Sequence, residues 1–165
     1  MTVEDAVNSP DVFRAAERLS PAARIQNWFG RRGPTYGAIF VGGFVGGALR
    51  YLLDHTFPAP AGRFPWTIFL VNVTGAFALS LLLVLLLELL QVGPLVRPLL
   101  ATGGLGAFTT FSTFVLAADR LGTSGHVGLA ATYVLASVFA GLAAGSFGLV
   151  LGRAVITVHT GSGQE

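Results

Sequence analysis

The chain has 165 residues, 53% of them hydrophobic and only 11% charged, with a mean hydropathy of +0.70. An ordinary soluble domain is about 25% charged, so these few charges could not cover a water-soluble globule, and a soluble enzyme is all but excluded. Cysteine is absent, which removes disulfides and cysteine-ligated metals; all ten basic residues are arginine, and a net charge of +2 without an arginine stripe gives no hold for nucleic acid.

Residues 1–35 stand apart. They carry Arg14, Arg18, Arg24, Arg31 and Arg32 together with Glu4, Asp5, Asp11 and Glu17. This basic stretch reads as a cytoplasmic extension, either a mobile tail or, over Ser9–Phe29, an amphipathic helix at a membrane surface. No short apolar run in it ends at a small-residue cleavage site, so it does not read as a secretory signal.

Four apolar stretches follow, at about 36–53, 66–90, 95–118 and 127–151. A bilayer core of about 30 Å needs about 20 helical residues, and a spanning segment must satisfy its own backbone hydrogen bonds, which makes each stretch a helix. The links are short: Asp54 to Pro65, Gln91 to Pro94 and Asp119 to His126. Short links favour antiparallel neighbours and a four-helix arrangement. Residues 152–165 read as a polar, frayed tail. The expected class is therefore an all-α integral membrane protein.

Arginine placement sets orientation. With the N-terminus inside, the inner side collects the five extension arginines, Arg97 and Arg153; the outer side has Arg63 and Arg120. Without the extension the count is two against two, so the four-helix body specifies no direction and the extension biases it inward.

Polar or broken backbone at membrane depth marks function. The first such place is the run Gly42-Gly43-Phe44-Val45-Gly46-Gly47-Ala48-Leu49-Arg50-Tyr51. Gly42, Gly43, Gly46 and Gly47 let another helix approach closely. Arg50 either snorkels to the head groups or guards an anion path. The second is Asn72, an amide in an apolar helix: glue across a packing seam, the commoner role, or a donor lining a pore. The third is the segment from Thr102 to Phe114, where three glycines precede the hydroxyls of Thr109, Thr110, Ser112 and Thr113. Such a segment makes a poor continuous helix. A break at depth is tolerated only inside protein or beside water; its freed carbonyls suit a cation and its new helix start an anion. Phe111 and Phe114, three apart, share a face, and their electropositive ring edges either meet a small anion or simply pack beside a hinge. The fourth is Tyr133 and Ser137, one turn apart, which either extend a hydroxyl track or bond between helices.

No carboxylate lies mid-membrane: Asp54, Asp119 and Glu88 sit at or near helix ends, and His55, His126 and His159 lie outside or at the edges of the spans. Nothing is placed for a proton relay, a metal cluster or a Ser–His pair, so enzyme chemistry has no basis here.

At these residues the chain resembles the Fluc/CrcB family of fluoride channels. Three motifs fall in that family's order over residues 36–151: GGFVGGALRY (Gly42–Tyr51), VNVTGAF (Val71–Phe77) and GGLGAFTTFSTF (Gly103–Phe114). The resemblance implies a four-helix subunit with a broken third helix, paired antiparallel with a second copy in dual topology or with an oppositely oriented homologous chain. Each dimer would hold two narrow fluoride pores and, at its centre, a structural sodium ion bound by backbone carbonyls, which fall on Gly106 and Thr109. The fluoride-lining phenylalanines fall on Phe111 and Phe114, the pore asparagine on Asn72, the motif arginine on Arg50, and the fourth-helix tyrosine and serine on Tyr133 and Ser137. Ser112 and Thr113 complete the expected fluoride path. The chain departs from the pattern at Val115 and Ala117, where the family commonly has serine and glutamate, at Ser80, where it often has glycine, and in its long basic N-terminus.

The implied setting is the inner membrane of a prokaryote. Fluoride enters cells as neutral HF, dissociates in a near-neutral cytoplasm and is trapped, because charge in hydrocarbon is costly. A passive pore releases it, helped by about 2.3 kcal/mol per charge for each 100 mV of inside-negative potential. A small proton-coupled exporter is the first rival and lacks its carboxylate; a non-transporting membrane subunit is the second.

Overall fold

A computed structural model gives the structure of the chain and describes residues 21–89 and 92–161. Among these residues five helical elements follow one another. Helix α1 spans Pro21–Thr56, α2 Trp66–Val84, α3 Pro98–Leu105 with a further turn at Gly106–Phe108, α4 Ser112–Thr123 and α5 Val127–Gly161. No strand occurs among the described residues. Helix α2 runs on as a π-wound turn over Leu85–Leu89, and Pro98–Leu105 is π-wound throughout.

Among the described residues, four stretches are long and apolar enough to cross a membrane: Arg32–Thr56, Trp66–Leu87, Pro98–Thr123 and Val127–Thr157. Their large apolar side chains point outward. Phe40, Phe44, Phe139, Phe147 and Val150 are all more than half exposed, whereas the only buried hydrophobic residues among those described are Val71, Val84, Leu86, Ala101, Leu121 and Tyr133. An apolar surface of that extent is unaffordable in water and is what lipid requires. The chain is a multi-pass membrane protein.

The helices outrun the sequence expectation at several ends. The first was expected to begin near Tyr36, yet helix α1 begins at Pro21 and carries Pro34 inside it. Residues 21–35 are thus helical; residues 9–20 of the expected surface helix lie outside the described residues. Helix α4 continues to Thr123, past the expected end at Ala118. Most plainly, residues 152–161 are not a frayed tail: α5 continues through them as one 35-residue helix. Gly152 and Arg153 read as an end, but Ala154, Val155 and Ile156 follow without a helix breaker. The chain divides at Gly37, and the packing described next is that of residues 38–165.

Within that unit the most extensive pairing joins α2 to α5. Gly145 lies against Ser80 and Gly152 against Val84, so the two helices run in the same direction. Small residues explain it. A methyl group at Gly148 would come 2.6 Å from the Phe77 carbonyl oxygen, so the backbones meet with nothing between them. Phe77 and Phe147 stack beside the contact at 5.8 Å.

Candidate functional site

Helix α1 meets α3 through bare backbone. A Cβ at Gly42 would collide with the Leu99 carbonyl, and one at Gly46 with the Gly104 carbonyl. Gly103 faces the Ile39 carbonyl in the same way. Gly43 makes only ordinary contact with Gly103 and Ala107, and Gly47 has open space beside it. Of the four glycines singled out in the sequence, Gly42 and Gly46 therefore form the crossing.

Past the crossing, the last helical donor is the Thr109 N–H, which bonds the Leu105 carbonyl at 3.1 Å, and the helix resumes at Ser112. Thr109 is extended, with φ −74° and ψ 154°. Asn72, on α2, clasps the peptide that follows. Its Nδ2 donates to the Thr110 carbonyl (3.0 Å) and its Oδ1 accepts the Thr110 N–H (2.8 Å). In an unbroken helix that N–H would go to the Gly106 carbonyl. Thr110 in turn caps α4: its Oγ1 accepts the Thr113 N–H at 3.2 Å, which an unbroken helix would give to the Thr109 carbonyl. Both exchanges strip a helical donor from a carbonyl, at Gly106 and at Thr109.

Hydroxyls gather at the interruption. Thr110 Oγ1 donates to Thr113 Oγ1 at 3.0 Å and lies 3.4 Å from Ser112 Oγ. Thr109 Oγ1 donates back to the Leu105 carbonyl at 3.1 Å. Arg50 reaches the same place from α1: its Nε–H donates to the Ala107 carbonyl at 3.2 Å, while a terminal guanidinium nitrogen sits 4.0 Å from Asp54. This arginine is tied to the interruption instead of snorkelling freely.

The aromatic side chains form a chain of rings. Phe111 and Phe114 are 5.9 Å apart, Phe114 and Tyr133 5.3 Å, and Tyr133 meets Phe64 edge-on at 5.4 Å. Phe111, which opens α4, is 78% exposed on the single chain, whereas Tyr133 is wholly buried. The Tyr133 hydroxyl and Ser137 Oγ are buried without a hydrogen-bond partner among the described residues, a state that native proteins seldom leave unexplained. The structure thus gathers Arg50, Asn72, Ser112, Thr113, Phe111 and Phe114 about one interruption and joins Tyr133 to them through Phe114. No group of three His, Cys, Asp or Glu residues that could hold a metal occurs among the described residues. The seam of Gly145, Gly148 and Gly152 went unnoticed in the sequence; their spacing of three and four was the available signal.

The sequence-family model for CrcB-like protein, Camphor Resistance (CrcB), matches residues 37–149. Among relatives, a protein of Streptomyces avermitilis named Fluoride-specific ion channel FluC 3 is 53% identical over 116 residues, 70% of this chain and 57% of that protein. This chain therefore spans little more than half of that relative's length. One of Nocardia farcinica, named Fluoride-specific ion channel FluC 2, is 43% identical over 128 residues, 78% of this chain and 89% of its own. A third, of Magnetococcus marinus, named Fluoride-specific ion channel FluC, is 42% identical over 118 residues, 71% of this chain and 96% of its own. Because the family match takes in the glycine crossing, the clasped peptide and the ring chain alike, and well over half of the sequence, the protein is a member of the CrcB family.

Proposed function

We propose that the chain is a passive fluoride channel that lets fluoride leave the cytoplasm across the inner membrane of a prokaryote. The reading rests on one observation above the others: the interruption at Thr109–Phe111, clasped by Asn72 and ringed by hydroxyls and phenylalanines, in a chain whose relatives are named fluoride-specific ion channels. A small anion surrenders much hydration on entering a narrow pore and needs close donors in return. Asn72 spends one amide N–H on Thr110 and has a second to give. Thr113, Ser112, Tyr133 and Ser137 supply hydroxyls, and the edges of Phe111 and Phe114 add weak positive potential without a fixed charge that would trap the ion. Arg50, close to the interruption, draws anions toward it.

The third span works, in this reading, as a broken helix at the centre of an antiparallel dimer. The partner is a second copy in the opposite orientation or a homologous chain inserted the other way, and its surface covers the exposed Phe111. The carbonyls of Gly106 and Thr109, relieved of their helical donors, fit a sodium ion, a hard cation that takes oxygen ligands; bound there, it would hold the two interruptions together. Here the chain's own part is to keep those oxygens unpaired, through Asn72 and Thr110.

The test is fluoride efflux from lipid vesicles containing the purified chain alone, with no proton gradient. Efflux that Phe111→Ile abolishes supports a channel and self-sufficient pairing. Absence of efflux from the chain alone, restored by adding an oppositely oriented relative, supports the two-chain form; absence in both sinks the reading.

A further inference from the structure

We infer a second anion site at the end of the bundle that carries the α1–α2 loop and the α4–α5 turn: a cavity in which Arg63 and Arg120 together hold a small inorganic anion. The inference deepens the fluoride reading and rests on it, since the anion held would be one entering or leaving the pore.

Two arginines from separate segments converge there. Arg63 comes from the loop before α2 and Arg120 from the last turn of α4, and both line one cavity of about 390 Å³. With the N-terminus inside, they are the two arginines of the outer side. Thr113 and Ser124 add hydroxyls to the lining, and no Asp or Glu contributes to it. Among the described residues no carboxylate lies within 4.0 Å of either guanidinium. Two guanidinium groups thus share one concavity with no carboxylate in its lining. Such an arrangement raises the local concentration of anions.

Ala117 lines the same cavity and brings no charge of its own to offset the two guanidinium groups. The loop is also held in place. Gly62, immediately before Arg63, has φ +69° and lies against the His126 ring that leads into α5, with a Cβ position only 2.9 Å from it. The Arg63 N–H donates to the Pro60 carbonyl at 3.2 Å. Glycine alone fits both the positive φ and the flat ring. Finally, the cavity joins the interruption: Thr113, in its wall, is hydrogen-bonded to Thr110, the residue that Asn72 clasps.

The experiment uses the full chain in neutral phosphatidylcholine vesicles and measures fluoride efflux at low and high ionic strength. R63Q/R120Q is expected to lower the low-salt rate about tenfold, with the deficit vanishing as salt screens the charges. R63K/R120K, which keeps both charges, should retain most of the rate. Equal rates for wild type and R63Q/R120Q at low salt would overturn the inference. So would a deficit found only when anionic lipid is added, because the arginines would then be holding lipid phosphate and not a free anion. If wild type moves no fluoride, alone or with an oppositely oriented relative, the channel reading fails separately, and thermal unfolding in detergent decides the site. Added sodium fluoride or sodium phosphate, against sodium gluconate at equal concentration, should then raise the midpoint of wild type but not of R63Q/R120Q; equal shifts reject the site. Should the double variant not fold, R120Q alone, on an exposed helical turn, carries the same comparisons with about a threefold deficit.

Discussion

Asn72 grips Thr110 by both ends of its amide, accepting the Thr110 N–H at 2.8 Å and donating to the Thr110 carbonyl at 3.0 Å. One side chain on α2 thereby replaces two bonds that a continuous third helix would have made for itself. Asn72→Ala leaves a peptide N–H and a carbonyl unpaired in apolar surroundings, each costing about 1–3 kcal/mol. Thermal unfolding in detergent should shift down markedly, and fluoride efflux should be lost. Asn72→Asp keeps the acceptor but sets a carboxylate against the Thr110 carbonyl, and should be as damaging to efflux.

The glycine crossing gives a graded series. Gly42→Ala and Gly46→Ala drive a methyl group into the carbonyls of Leu99 and Gly104, backbone atoms that cannot rotate aside. Each should cost about 1–3 kcal/mol or more. Gly47→Ala meets open space on the single chain and should be close to neutral in the same unfolding measurement.

Stability and transport should separate at Tyr133 and Ser137. Both hydroxyls are buried without a hydrogen-bond partner among the described residues, so Tyr133→Phe or Ser137→Ala removes a polar group whose burial is uncompensated there. The variants should unfold at the same temperature as wild type or higher. If the hydroxyls serve a passing anion, efflux should nevertheless fall about tenfold, the effect of losing about 1.4 kcal/mol of barrier stabilisation.

Arg50 donates through Nε to Ala107 while facing Asp54. Lysine offers a charge but no second nitrogen to span both partners. Arg50→Lys should therefore reduce efflux while retaining the fold, and Arg50→Gln should reduce it further, both read in the same vesicles.

Exchange of sodium for N-methylglucamine throughout purification tests the carbonyls of Gly106 and Thr109. Loss of a bound cation should lower the unfolding midpoint, and returning sodium should restore it; an unchanged midpoint would leave those oxygens without a cation.

Much of this was written in the sequence because lipid imposes long apolar runs, and an interruption of such a run by Gly103, Gly104 and Gly106 followed by four hydroxyls stands out against them. What stayed hidden was partnership. An amide at position 72 announces the need for a hydrogen bond but not that Thr110 will supply it, thirty-eight residues on. Gly145, Gly148 and Gly152 look like any small residues in a membrane helix until Ser80, Phe77 and Val84 are set against them. Helix ends were misplaced for a similar reason: Arg153 reads as an anchor at an interface, yet a helix stops where its hydrogen bonding fails, and nothing after Gly152 makes it fail before Gly161.

The length of α5 carries a mechanical consequence. At 1.5 Å per residue its 35 residues reach about 52 Å, roughly 20 Å more than the hydrocarbon layer can swallow. Tilt of the helix, or a helical stretch lying in the head-group layer, must take up that difference.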